Sequence, residues 1–214
     1  MTYLETDVHA SSDGISIVSH DDVLDRVAGR PGRVSDFTAA QLAAIDLGGG
    51  QGFCSLAEAL AAFPTARFNV DIKSMDAAAP TIAAINAAGA VDRVLVTSFS
   101  GARRRSAVTG LPSVATSASG PLFVVALLLA KLGATPLLRF ALRGVDAVQV
   151  PERALGLTIA TSRTIDRFQR AGVEVHFWTI NDATSMNRLL DLGADGLVTD
   201  RSDLALEVLR SRVA

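Results

Sequence analysis

"EVHFWTINDATSMNRLLDLGADGLVTD", residues 174–200, holds two strand-like runs with a helical run between them. "EVHFWTI" (174–180) is rich in β-branched and aromatic residues, residues 183–191 read as a helix, and "DGLVTD" (195–200) is a second short β-rich run. A strand, a helix and a strand in that order make a βαβ unit, whose strands run parallel. Working back along the chain, the same alternation recurs. Strands are expected at "RFNVDIK" (67–73), "RVLVTSF" (93–99), "PSVATS" (112–117) and "DAVQVP" (146–151). Helices are expected near 75–88, 101–109, 120–132, 162–171 and, after the last strand, 202–211, several opened by Ser, Thr or Asp. The reading is an α/β chain with a parallel sheet, either a closed barrel or a doubly wound sheet. No linker interrupts it, so residues 1–214 are read as a single domain.

The composition agrees. At 214 residues with 49% hydrophobic but only 5% aromatic side chains, the core must be built mostly from Ala, Leu and Val. The net charge of −2, with basic residues scattered apart from Arg103, Arg104 and Arg105, lacks the broad basic face that nucleic acid requires. Cys54 is the only cysteine, which excludes an internal disulfide framework and any CxxC metal pattern and fits a reducing compartment. With no signal-peptide pattern in residues 1–10, a cytoplasmic location is the expectation. The most apolar run, "PLFVVALLLAKLGATPLL" (121–138), is broken by Lys131, Gly133 and Pro136. It falls short of the ~20 residues a spanning helix needs and reads as a buried or peripheral helix rather than a membrane contact.

In parallel α/β folds chemistry sits where strands run into the following loops. Those ends carry Asp71 and Lys73, Ser98, Ser117, Gln149, Trp178 and Asn181, Thr199 and Asp200. Helix capping alone would account for some of them, Ser98, Ser117, Thr199 and Asp200 above all. The opening stretch "YLETDVHASSDGISIVSHDD" (3–22) adds more. Glu5 and Asp7, two apart on a strand, share a face, and oxygen-only ligands suit a hard cation such as Mg²⁺ or Ca²⁺. "SSDG" is too short for a parallel crossover, so 3–10 and 15–20 should form an antiparallel hairpin turning at Asp13-Gly14. A two-residue loop sets His20 opposite Asp7 and a four-residue loop sets it opposite Glu5. Either puts His20 on the carboxylate face as a candidate acid/base, whereas a three-residue loop would turn it to the other face. Asp71 and Lys73 likewise share a strand face, as metal ligand and phosphate-neutralising ammonium or as an ion pair. Trp178 could wall a pocket or pack in the core, and His176 and His9 read as structural. A surface hairpin with ordinary charges remains the alternative to all of this. Residues 21–66, with "GRPGR", "GGGQG" and helices at 38–44 and 55–63, read as an insertion over one end of the sheet.

With these residues in hand, the chain resembles the glycerophosphodiester phosphodiesterase family, a phospholipase-C-like barrel. The resemblance rests on "LETDVHASSDGISIVSHDDVLDRVAGRPGRVSD", "FNVDIKS", "VLVTSFS" and "VHFWTINDATSMNRLLDLGADGLVTDRSD", in the family's order. It implies a TIM-type (β/α) barrel with a β-hairpin and small insertion near residues 11–66. It further implies metal binding by Glu5, Asp7 and Asp71, the last where the family often has Glu. His20 then matches one of two acid/base groups, Lys73 the active-site lysine, and Trp178 a pocket tryptophan. The implied reaction is hydrolysis of a small-molecule glycerophosphodiester to glycerol 3-phosphate and an alcohol, in lipid and glycerol phosphodiester metabolism, with Mg²⁺ or Ca²⁺. The glycerol hydroxyl would attack phosphorus first and water would finish the reaction.

The family begins with a strand bearing H-R-G, absent from this sequence, so the expectation is an N-terminally incomplete barrel that lacks the second acid/base and has little activity alone. Two other readings stand beside it: a catalytically dead barrel that binds a phosphate-bearing ligand or a protein partner, and a barrel enzyme acting on phosphosugars.

Overall fold

Residues 3–213 are described in the structure, a computed structural model. They divide into two compact units, one ending at Ala115 and the other beginning at Thr116.

The first unit holds β1 (Tyr3–Ala10), β2 (Ser16–Val18), α1 (Asp25–Ala28), α2 (Ala39–Ala43), α3 (Leu56–Ala62), β3 (Arg67–Ile72), α4 (Ala78–Ala87), β4 (Val94–Thr97) and α5 (Gly101–Gly110), and the chain leaves it within β5 (Ala115–Thr116). The sheet runs in the order β2-β1-β3-β4-β5. β1, β3 and β4 are parallel, and β2 is antiparallel to β1. Strand parity then sorts the side chains. Val8 of β1, Phe68, Val70 and Ile72 of β3 and Val94 and Val96 of β4 pack with Leu56 and Leu60 of α3, Ala78 and Ile85 of α4 and Ala107 of α5. The alternate positions, Glu5, Asp7 and His9 on β1 with Asn69 and Asp71 on β3, fall on the opposite face. Small residues let the helices approach closely, since a Cβ on Gly110 would lie 2.6 Å from Ile82 Cδ1.

The hairpin departs from expectation. Val8 pairs with Val18 and Ala10 with Ser16, so the loop is Ser11–Ile15, five residues and odd. Continued in that register, His20 would fall beside Thr6 and point away from Asp7, the parity that even loops were expected to avoid. The cause is Ser11: its Oγ accepts from Ile15 N at 2.9 Å and donates to Asp13 Oδ1 at 2.6 Å, ending the ladder early. Gly14 supplies the left-handed conformation, at φ 76°. Asp13 Oδ1 also accepts from Ala39 N, tying the loop to the first turn of α2.

The insertion has its own small core of Ile17, Leu24, Val34, Leu42, Ile45 and Phe53. The short α1, without a side-chain cap, was not anticipated, whereas α2 and α3 begin where expected because both carry reciprocal caps. Thr38 Oγ1 accepts from Gln41 N while Gln41 Oε1 accepts from Thr38 N, and Ser55 and Glu58 do the same for α3.

The second unit comprises α6 (Gly120–Leu132), α7 (Thr135–Ala141), β6 (Ala147–Val150), β7 (Arg153–Ala154), β8 (Leu157–Thr158), α8 (Ser162–Arg170), β9 (Glu174–Phe177), α9 (Ala183–Asp191), β10 (Gly196–Leu197) and α10 (Ser202–Val213). Parallel strands in the order β10-β9-β6 present Val148, Val150, Val175 and Phe177 to Leu127, Leu138, Phe168, Met186 and Leu189. Thr161 and Asp182 cap α8 and α9 through Thr164 N and Ser185 N. Three elements of this unit, α7, β7 and β8, were not anticipated. Pro136, read as a break, sits in the first turn of α7, where its missing N–H costs nothing. The β7–β8 hairpin is two residues per strand, too short for any periodicity.

Candidate active site

In the first unit, the parallel register sets Glu5 opposite Asn69 and Asp7 opposite Asp71. Asp7, Asn69 and Asp71 are buried. Lys73 follows directly on β3, its backbone N–H donating to Val8 O at 3.1 Å, and its parity returns the side chain to the same face. The ammonium lies 2.8 Å from Asp7 Oδ1 and 2.7 Å from Asp71 Oδ2. Burial opposes the Lys73 charge, but its bonds to Asp7 and Asp71 outweigh this and hold its pKa above the ordinary value.

One ammonium stands against three carboxyl groups, and the imbalance falls on Glu5. Glu5 is exposed at the surface, yet the protein around its carboxyl and the neighbouring Asp7 charge push its pKa up to about 7. Burial also raises Asp7, with Lys73 pulling the other way. Asn69 Oδ1 and Asp71 Oδ1 are buried and accept no hydrogen bond from the described residues. Such oxygens are costly to leave unmatched.

His20 reaches this cluster although the ladder parity is against it. β2 ends at Val18, Ser19 N donates to Asp7 O at 3.0 Å, and Ser19 Oγ donates to Asp21 O at 2.8 Å. The chain turns there, and His20 Nε2 comes to 3.9 Å from Asp7 Oδ2. The expected juxtaposition therefore holds while the expected cause does not. His20 Nδ1 lies 2.7 Å from Asp21 Oδ1. Asp21 is itself gripped by Arg26 Nε at 2.5 Å, and these two partners hold its pKa down to about 2. An ionised Asp21 makes Nδ1 the donor and leaves Nε2, on the Asp7 side, free to exchange a proton. Beside Lys73 and His20 opens a cleft of about 830 Å³, lined also by His9, Asp22, Arg33 and Asp76.

Three contributors were missed. Asn69 stands two residues before Asp71, so strand parity could have found it. His9, read as bland, is two after Asp7; its Nε2 lies 3.4 Å from His20 O and its burial lowers its pKa. Asp21 is adjacent to His20, but its orienting role depends on the turn at Ser19. Ser98, by contrast, donates to Ile72 O at 2.7 Å, a purely structural tie. Trp178 belongs to the second unit, half-buried just after β9. His176, also there, bonds Glu174 Oε2 at 2.9 Å and packs against Gly196, as a structural histidine does. Asn181, Thr199 and Asp200 bond one another in a loop clasp.

Acidic, amide and ammonium groups gathered on parallel strands, beside a cleft, define the class: an α/β protein with a charged site on one face of its sheet. The description "Glycerophosphoryl diester phosphodiesterase family" belongs to the family model that matches residues 1–204, and this chain is a member of that family. Among its relatives is the protein named "Probable glycerophosphodiester phosphodiesterase 2" of Mycobacterium tuberculosis, 37% identical over 211 residues, which span 98% of this chain and 80% of the relative. A phosphodiesterase of Oleispira antarctica, solved in complex with the product sn-glycerol-3-phosphate, matches with a TM-score of 0.78 at 20% identity, over 98% of this chain and 85% of that one. A glycerophosphodiester phosphodiesterase of Agrobacterium tumefaciens gives 0.73 at 24% identity, over 95% and 86%. At such identities the likeness establishes the fold, the TIM-type α/β fold of this family.

Proposed function

We propose that this chain hydrolyses glycerophosphodiesters to glycerol 3-phosphate and an alcohol, using a divalent cation, Mg²⁺ or Ca²⁺, held by Glu5, Asp7 and Asp71. The observation that carries the reading is that Glu5, Asp7 and Asp71 share one sheet face with Lys73, which bonds both aspartates, and that the turn after β2 brings His20 to Asp7 beside a cleft. The names of the relatives and the product in the Oleispira antarctica structure support the substrate class.

The donor set fits a hard cation. It is all oxygen, it carries more negative charge than Lys73 balances, and the Oδ1 atoms of Asp71 and Asn69 accept no hydrogen bond from the described residues. Among the described residues no three acidic, His or Cys side chains yet surround a common point. Lys73 now stands between Asp7 and Asp71. A bound cation would withdraw charge from the phosphoryl oxygens as the transition state forms.

The remaining work belongs to side chains. Lys73 neutralises a phosphoryl oxygen as its charge grows. In the hydrolysis one P–O bond forms and one breaks; a proton leaves the attacking oxygen and another reaches the departing alcohol. His20 Nε2 is oriented by Asp21 to serve one of those transfers. The cleft beside it gives room for the organic part of the diester.

The test is release of glycerol 3-phosphate from glycerophosphocholine with Mg²⁺, with Ca²⁺ and with chelator. Cation-stimulated release that His20→Ala lowers by about 100-fold or more is expected. Turnover unchanged by His20→Ala overturns the assignment of His20. Glycerol 3-phosphate binding with no turnover under any cation favours a phosphate-binding module instead.

A further inference from the structure

From the structure we infer that the α6–α7 helix pair is a docking surface for an anionic lipid bilayer. α6 buries one side, Ala126, Leu127 and Ala130, and Phe123 stacks on Phe168 at 6.3 Å between ring centroids. Its other side is a single stripe of exposed residues at helical spacing: Pro121, Val125, Leu128 and Leu132. α7, packed against α6, exposes Leu137 and Phe140 in the same manner. Leu132 is 80% exposed and Phe140 74%, far beyond what lone surface apolar residues require.

Charge selects the occupant. No Asp or Glu occurs between Asp92 and Asp146, and the charged residues of the α6–α7 segment are Lys131, Arg139 and Arg143. Arg139 spends its guanidinium on Arg170 O at 2.7 Å, and Lys131 on Thr158 O and Thr164 Oγ1. Among the described residues none of the three joins an ion pair, and Asp166, on the neighbouring α8, is already paired with Arg170. A second copy docking about a two-fold axis would set this acid-free, arginine-rimmed face against itself, like charge on like charge. An anionic lipid surface supplies the opposite charge and accepts the apolar stripe at the same time. The helices lie on that surface without crossing it: no helix among the described residues is long and apolar enough to span a membrane.

The experiment is co-sedimentation of the full chain with phosphatidylcholine vesicles, with and without phosphatidylglycerol. Binding is expected only with phosphatidylglycerol, and salt should weaken it. Arg139→Gln and Arg143→Gln should each reduce it about fivefold. Leu132→Glu with Phe140→Glu should abolish it while leaving the melting temperature unchanged, because neither side chain is in the core. Leu132→Ser with Phe140→Ser gives the same readout without added charge. No binding by the native chain, or binding that survives both double variants, overturns the inference. So does a dimer in lipid-free solution that the double variants dissociate, which would assign the face to a second copy.

Discussion

Glu5 and Asp21 carry opposite pKa shifts at the two ends of the cluster. Unfolded, Glu5 loses its proton near its ordinary value of 4.5; folded, it holds on to about 7. Between those values the fold binds a proton that the unfolded chain has released, so this group costs stability as pH rises. In chelator, the melting temperature of the native chain relative to Glu5→Gln should fall between pH 4.5 and 7; a flat difference removes the electrostatic account of Glu5. Asp21 stays ionised and fixes the His20 tautomer. Asp21→Asn should therefore reduce glycerol 3-phosphate release on the order of 10–100-fold with little change in melting temperature, measured as kcat. Much of this cluster was legible in the chain. Glu5 with Asp7, and Asp71 with Lys73, are strand-spaced pairs that any register of their own strands leaves facing one way. His20 was placed correctly for the wrong reason, since hydrogen bonds of Ser11 and Ser19 that no spacing encodes set both the loop length and the turn.

Helices were read well wherever a polar cap announces them, as at Ser55, Thr161 and Asp182, and poorly where a proline looked like an ending. α3 depends on its reciprocal cap, so Ser55→Ala leaves Glu58 N without its acceptor and should destabilise the chain by about 1 kcal/mol in urea unfolding. Its other end is clamped as well. Arg93 donates to Leu60 O at 2.9 Å in the last turn, to Phe63 O at 3.2 Å at the C-cap and to Ala66 O at 2.9 Å beyond it. Strands were read too long because β-rich composition persists past the regular strand. "EVHFWTI" is regular strand only through Phe177 and "DGLVTD" only at Gly196 and Leu197, with single backbone bonds beyond them, Trp178 N to Val150 O at 3.1 Å and Ile180 N to Val198 O at 2.9 Å.

Among the described residues a main hydrophobic core holds each unit, the first having the small insertion core as well, and the only tryptophan of the sequence lies in the second unit. Trp178 fluorescence is thus a local reporter of residues 116–213. Phe168, wholly buried there, should cost about 3–5 kcal/mol when cut to alanine and lower the urea midpoint seen by that fluorescence. An unchanged midpoint would mean that the core around Phe168 does not support the Trp178 environment. The α/β class and the family order of motifs were visible at this scale because parallel strands and their helices alternate in the chain itself. The division into two units was not, because no composition shift or linker marks Ala115–Thr116.

The five-residue hairpin loop has a bearing on how this chain can vary. A deletion or insertion of one residue within Ser11–Ile15 would slide β2 by one and exchange its two faces. Ile17, a member of the small insertion core, would trade places with Ser16, whose hydroxyl meets that of Thr81 at 2.9 Å. The loop therefore acts as a phase lock. Length changes in pairs keep the faces in step, while single steps drive Ile17 into the buried hydroxyl site at Thr81 and set Ser16 in the apolar insertion core.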